Sequence, residues 1–249
     1  MNNGSLKNRQ QGMTLIEIMV ALMLGAFLLA GVMQIFLSSK QTYRMQDNLS
    51  RMQENGRFAM EFITRDIRVA DYKVCFSDTS IGGEVSGTNN LGLNGSDRIT
   101  VLQKDDACGV GISANTFSAI TFSIQADAGG QPALFKTTAT GSTVPVATAN
   151  LTAVGMFVTQ ALVEGIENMQ ILYGEDTDAD NTPDYYVDAA TVVDMNNVVS
   201  VRVSLLVTSI DDNLIPQPRT YIYNGVSTTP IDRRIRKVFT STIVLRNRL

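Results

Sequence analysis

The chain has 249 residues, 44% of them hydrophobic and 18% charged, with a formal net charge of −4. That is long and apolar enough for one or two folded domains, and it excludes a wholly disordered or collagen-like chain. The absence of histidine excludes Ser-His-Asp triads, Cys-His nucleophiles and His-ligated zinc; two cysteines cannot build a disulfide-dense scaffold or a four-thiolate metal site; and a pI near 4.9 argues against nucleic acid as a partner.

The first twelve residues are polar and carry Lys7 and Arg9 with no acid. From Ile18 to Ser39, 22 consecutive residues are uncharged and mostly apolar. About 20 such residues cross a bilayer as a helix, whereas the apolar core of a cleaved secretory signal has roughly 7–15. Lys7 and Arg9 ahead of the segment place the N-terminus in the cytoplasm and the remainder outside. Glu17 interrupts this pattern, because an acid in a lipid-compatible helix costs about 2–3 kcal/mol or more. Two readings stand. Glu17 is solvated at headgroup level, or it has a cationic partner within the membrane, for which an exposed α-amino group is suited.

Gly12-Met13-Thr14-Leu15-Ile16-Glu17, followed by an apolar helix, resembles the type III signal of type IV prepilins and type II secretion pseudopilins. Met13 stands where the usual form has Phe. The resemblance implies that a prepilin peptidase cuts between Gly12 and Met13 on the cytoplasmic face and that the new Met13 amine is N-methylated. It also implies that Glu17 pairs with the N-terminal amine of the adjacent subunit as subunits leave the bilayer. A bare backbone at Gly12 fits an extended substrate into a protease without a Cβ to clash. Opposite charges attract more strongly at low dielectric than in water, so such a pair can set axial register. The cleaved chain, 13–249, carries 18 basic and 24 acidic residues, net −6.

Helical periodicity continues beyond the membrane segment. Met45, Leu49, Met52, Gly56, Ala59, Ile63, Ile67 and Ala70 recur at spacings of three and four, which predicts one buried face. Asp47, Arg51, Glu54, Arg57, Glu61 and Arg65 alternate in sign on the other, a solvated face whose pairs contribute roughly 0.2–0.5 kcal/mol each. A helix from Thr14 to Asp71 would be about 87 Å long at 1.5 Å per residue. No single small domain covers that length, so its first half needs lipid and then neighbouring helices.

Past Asp71 the composition changes. Gly, Asn, Ser, Thr and Asp dominate 77–97 and again 125–150. Strand-like runs lie at Arg98–Gln103, Phe117–Ile124, Leu151–Val158, Asn168–Tyr173, Val198–Thr208, Arg219–Tyr223 and Lys237–Leu245. Val199, Val201, Val203, Leu205 and Val207 alternate with Ser200, Arg202, Ser204, Leu206 and Thr208, the signature of a half-buried antiparallel strand. A long helix followed by strands predicts an α+β fold in which the helix packs by its second half on an antiparallel β-sheet. The expected organisation is a cleaved leader over 1–12, a membrane helix over 13–39 and a periplasmic helix-plus-sheet domain over 40–249.

Three further features invite a chemical reading. Cys75 and Cys108 would face an oxidising compartment and either pair or remain two buried thiols; a disulfide closing that loop contributes roughly 3–4 kcal/mol. Asp176, Asp178, Asp180 and Asp184 occupy positions 1, 3, 5 and 9 of a calcium-type loop, with Thr182 placed to offer a carbonyl at position 7. Asn181 stands where that loop requires Gly, and Val187 where it requires Glu, so a solvated hairpin turn between strands is the competing reading. Arg233, Arg234, Arg236, Lys237, Arg246 and Arg248 make the C-terminal region basic. That suits an interface for acidic neighbours, or a strand edge blunted by charge; as a nucleic-acid footprint on an acidic chain it is weak.

The second half carries its own resemblance. The segment Val163-Glu164-Gly165-Ile166-Glu167 through Tyr173-Gly174, the strand Val198 to Leu206 and the closing Leu245-Arg246-Asn247-Arg248 are similar to minor pilins of the PilW type. Members often carry Trp before that strand, where this chain has Asn196-Asn197. The resemblance implies a pilin-like fold and a structural, non-enzymatic subunit that primes type IV pilus assembly and lies at or near the tip. It further implies an inner-membrane precursor, later displayed on the cell surface, with the prepilin peptidase, the major pilin, other minor pilins and a tip adhesin as partners and no cofactor other than calcium at the Asp loop. A J-type pseudopilin of type II secretion shares the same plan. A membrane-anchored periplasmic enzyme is the more distant alternative, and without histidine it would be confined to carboxylate, Lys or Cys chemistry.

Overall fold

The computed structural model describes residues 12–70, 85–104, 117–141 and 157–248. They fall into two compact units, one ending at Gln46 and the other beginning at Asp47. A single helix, α1 (Leu15–Arg68), supplies the described secondary structure of the first unit and the opening of the second. In the first unit it is apolar and uncovered: Phe27 is 81% and Leu29 72% exposed. It is long and apolar enough to cross a membrane, and none of the most apolar stretch is buried within the protein.

Within the second unit α1 changes character as its spacing predicts. Met52, Gly56, Ala59, Ile63, Ile67 and, just past its end, Ala70 are buried, while Asp47, Arg51, Glu54, Arg57, Glu61 and Arg65 are exposed. Arg51 and Asp47 form one of the expected pairs at 3.0 Å. Gly56 lets the Phe239 ring close on the helix, since a Cβ there would lie 2.5 Å from that ring and push it aside. Asp66 departs from the expected pattern: it is buried on the apolar side, bonded to Lys136 Nζ at 2.6 Å and to Arg65 Nε at 3.2 Å. A buried carboxylate needs such partners, because an unpaired one would be strongly destabilising.

The strands form two main antiparallel sheets. The first is a meander in the order β1 (Val85–Thr88), β2 (Arg98–Lys104), β3 (Phe117–Ala126), β4 (Pro132–Gly141) and β5 (Phe157–Glu164). The second has the order β11 (Arg236–Val244), β8 (Val198–Thr208), β6 (Ile166–Glu175) and β7 (Tyr185–Val187), and a hairpin of β9 (Tyr221–Tyr223) and β10 (Val226–Thr228) stands apart. One core joins α1 to both sheets, through Ile63 and Ile67 on the helix, Phe122 and Leu134 on the first sheet, and Met169, Ile171, Val203 and Leu205 on the second.

β8 keeps the bounds expected of it, and its alternation holds from Ser200 onward but breaks at its start. Gly174 pairs with Ser200 and Glu175 with Val198, so Val199 is the extra residue of a bulge. Val198 therefore joins Val201, Val203, Leu205 and Val207 in the core, while Val199 is buried outside it. The reverse face is not solvated either: Ser200, Leu206 and Thr208 are buried, and Arg202 lies 3.9 Å above the Tyr186 ring. Glu167 is the extra residue of a second bulge on β6, which lets Ile166 and Met169 both face the core.

Two polar stretches hold strands that composition conceals. β1 lies within 77–97 and β4 within 125–150. β4 is built from Ala and Thr, with Ala133, Leu134 and Ala139 buried and Thr137 Oγ1 bonded to Thr159 Oγ1 at 3.0 Å. Threonine is β-branched and suits a strand even where hydropathy is low. Of the run expected over Leu151–Val158, only 157–158 fall among the described residues, and there they begin β5.

The chain passes between the two sheets at one residue. Gly165 separates β5 from β6 with φ +75°. Its N–H donates to the Pro132 carbonyl at 2.9 Å and its carbonyl accepts from Thr208 N at 2.8 Å. A Cβ at Gly165 would lie 2.8 Å from the Thr208 carbonyl oxygen, so this position needs glycine both for its backbone angle and for the close approach.

Candidate functional site

The processing and assembly residues share one short stretch. Gly12, Met13 and Thr14 precede α1 without regular structure and are exposed, Met13 by 69%. A Cβ at Gly12 would meet nothing within 4 Å. Thr14 opens the helix, its carbonyl accepting from Glu17 N at 3.1 Å and Ile18 N at 3.3 Å. Glu17 thus stands in the first turn, where unsatisfied N–H groups favour a negative charge. Its carboxylate is exposed at the head of the apolar helix, four positions after Met13. The leader residues before Gly12, and both Cys75 and Cys108, lie outside the described residues.

The aspartate loop is a turn between β6 and β7, as the hairpin reading has it. Carboxylate oxygens of Asp176, Asp178 and Asp184 lie within 4.8 Å of one another. Asp180 stands outside that group: its Oδ1 accepts from Thr182 N at 2.8 Å and Thr182 Oγ1 at 2.5 Å. Asp176 is buried and accepts from Ala179 N at 2.7 Å and Asn181 N at 2.8 Å. Asp184 Oδ2 accepts from Thr177 N and Oγ1, which lowers its pKa. Asp178 faces Asp180 and its other acidic neighbours, which raise its pKa. Asp176, Asp178 and Asp184 are therefore close enough to hold a cation together. Most of the loop's hydrogen bonding is already spent on its own backbone.

The basic C-terminal region divides by position. Arg236 opens β11 but its side chain is buried, bonded to Glu167 at 2.7 and 3.2 Å and to Asp232 through two contacts of 2.7 Å. The Arg236 guanidinium holds the Asp232 carboxyl below its usual range. Arg234 donates to Gln131 Oε1 at 2.8 Å and Arg233 to Asn213. These arginines tie the second sheet to neighbouring loops, and Lys237 stays exposed on the edge strand β11.

Sequence reasoning did not find three features: the Asp66–Lys136 pair, the Glu167–Arg236–Asp232 cluster, and the buried Asp97, whose oxygens accept from Asn90 N at 2.9 Å and Ile171 N at 2.8 Å. Burial raises the Asp97 pKa despite those bonds. Each joins segments far apart in the chain, such as Asp66 on α1 with Lys136 on β4 and Glu167 on β6 with Arg236 on β11, and only an unpaired charge within an apolar stripe, as at Asp66, signals one in advance.

Two family models match the chain. The prokaryotic N-terminal methylation motif matches residues 7–33, and the family described as type IV pilus-assembly protein W matches residues 121–247. Among solved structures, a type IV-like pilin from Thermus thermophilus is 13% identical with a TM-score of 0.48, covering 82% of this chain and 98% of that one. The GspK-GspI-GspJ complex of the enterotoxigenic Escherichia coli type 2 secretion system contains a chain 12% identical with a TM-score of 0.38, covering 77% and 96%. No curated protein matches. With a methylation motif running into α1 and a family match over more than half its length, the chain belongs to the type IV pilus-assembly protein W family.

Proposed function

We propose that this chain is a minor pilin that primes assembly of a type IV pilus and remains at or near its tip, a structural subunit with no catalytic step of its own. The observation that carries the reading is Glu17, an exposed acid in the first turn of a helix whose next 22 residues are uncharged. In this account prepilin peptidase frees the Met13 amine on the cytoplasmic side of the inner membrane, and the sheets fold in the periplasm. Glu17 then takes the terminal amine of the neighbouring subunit as its partner. The pair forms where dielectric is low, so leaving either charge alone there is costly and the register with satisfied charges wins. Other minor pilins, the major pilin and a tip adhesin are the partners this role requires.

The test is a strain lacking the gene, complemented with an epitope-tagged copy. The expected result is loss of surface pili without the gene, and label at filament ends when the tagged copy restores them. Normal piliation with loss of type II secretion would assign the chain to a pseudopilin role, and label along the whole shaft would contradict the tip position.

A further inference from the structure

The face of the second sheet turned away from the core carries a cavity of about 340 Å³. Asn168 and Gln170 alternate along β6 with the core residues Met169 and Ile171, so they stand on this outer face, and Leu206 lies opposite Asn168 in register. The β9–β10 hairpin covers it from one side, with Tyr223 Oη donating to the Ser204 carbonyl at 2.8 Å. The turn at Leu93–Gly95 closes the other side.

A relay of amides connects the two walls. Asn224 Nδ2 donates to Gln170 Oε1 at 3.4 Å. Gln170 Nε2 donates to Asn168 Oδ1 at 3.1 Å and to the Gly95 carbonyl at 2.9 Å. Asn168 Nδ2 donates to the Asn94 carbonyl at 2.7 Å, and Asn94 Nδ2 to the Glu167 carbonyl at 3.2 Å. Among the described residues, no protein donor reaches Asn94 Oδ1 or Asn224 Oδ1. Glu167 is the one charged side chain of the lining, and Arg236 holds both of its oxygens.

We propose that this cavity binds a neutral carbohydrate. A sugar hydroxyl both donates and accepts, and side-chain amides offer both functions without charge. Its C–H faces need an apolar surface, which the half-buried Tyr221 and Tyr223 of β9 supply. The lining has no uncommitted cation to hold an anion and no uncommitted carboxylate to hold a cation. It is too polar for a hydrocarbon ligand, which would strand the amides without partners. The volume lies at the small end of ligand pockets, which begin at about 300 Å³. The relay orders the amides before any ligand arrives, so less freedom is lost on binding. An exported subunit with this cavity would contact glycans directly, independently of its part in assembly.

The test uses the full chain in lipid nanodiscs, free of glycoside detergent. Saturation-transfer NMR is run against methyl glycosides of glucose, galactose, mannose, fucose, N-acetylglucosamine and N-acetylgalactosamine, with the methyl glycoside of sialic acid as the charged comparison. At least one neutral glycoside is expected to bind. Gln170→Met, which keeps the side-chain shape, and Asn224→Asp, which keeps a residue tolerant of the left-handed turn, are each expected to weaken that binding by about tenfold or more, a loss near 1.4 kcal/mol, while the chain still melts in one cooperative transition a few degrees lower at most. No binding by any neutral glycoside, binding of the charged one alone, or binding retained in both variants would overturn the proposal.

Discussion

Replacing Gly165 with alanine is expected to lower the melting temperature of the full chain by about 10 °C, against about 3 °C for the same change at Gly130. Both glycines have φ +75°, so both substitutions incur the left-handed penalty of about 1 kcal/mol or more. Only Gly165 adds a clash. Its Cβ would sit 2.8 Å from a backbone oxygen of β8, whereas at Gly130 it would meet nothing within 4 Å. Backbone of a central strand cannot move aside as a flexible side chain can, and the same residue bonds to Pro132 and Thr208. The combined cost is about 3 kcal/mol, a large part of a typical domain's stability. Thermal melts of the two variants side by side check it. Equal shifts would mean that the crossing between sheets tolerates a side chain.

Glu17→Val is expected to leave the protein inserted and folded while its incorporation into filaments falls by about tenfold or more, the loss of only about 1.4 kcal/mol of selective attraction. The substitution makes the membrane segment more apolar, so insertion is favoured. Residue 17 belongs to the first compact unit and the sheets to the second. What is lost is the partner for an amine arriving at low dielectric, where one unpaired charge costs about 3–5 kcal/mol. The measurement is the ratio of tagged protein in sheared pili to that in membranes, with the variant as sole copy. A ratio equal to that of the unaltered protein would remove Glu17 from the assembly account.

What could be read from the sequence follows from the range of the interactions involved. The buried face of α1 was legible because helical spacing is local: all eight expected positions from Met45 to Ala70 are buried or half-buried. β8 was legible in its bounds because five β-branched or leucine residues alternate without interruption. The bulge at Val199 was not, since it exists only against β6. β4 escaped notice because alanine and threonine carry little hydropathy, though they pack well on a pleated surface. At the candidate site, the glycine, the acid and the apolar run lie within thirty residues and declare themselves. The aspartate loop shows the opposite case. Spacing alone would enlist Asp180 with Asp176, Asp178 and Asp184, but its Oδ1 is taken by Thr182. The amide cavity joins segments more than fifty residues apart and left no local mark at all.

Determining the N-terminus of the protein recovered from the membrane, by intact mass and terminal sequencing, addresses the whole account at its origin. A chain beginning at N-methylated Met13 is the expected result. A chain that still begins at Met1, or one cut beyond Ser39 on the far side of the bilayer, would contradict it, because neither would present a free amine beside Glu17 at the head of the apolar helix.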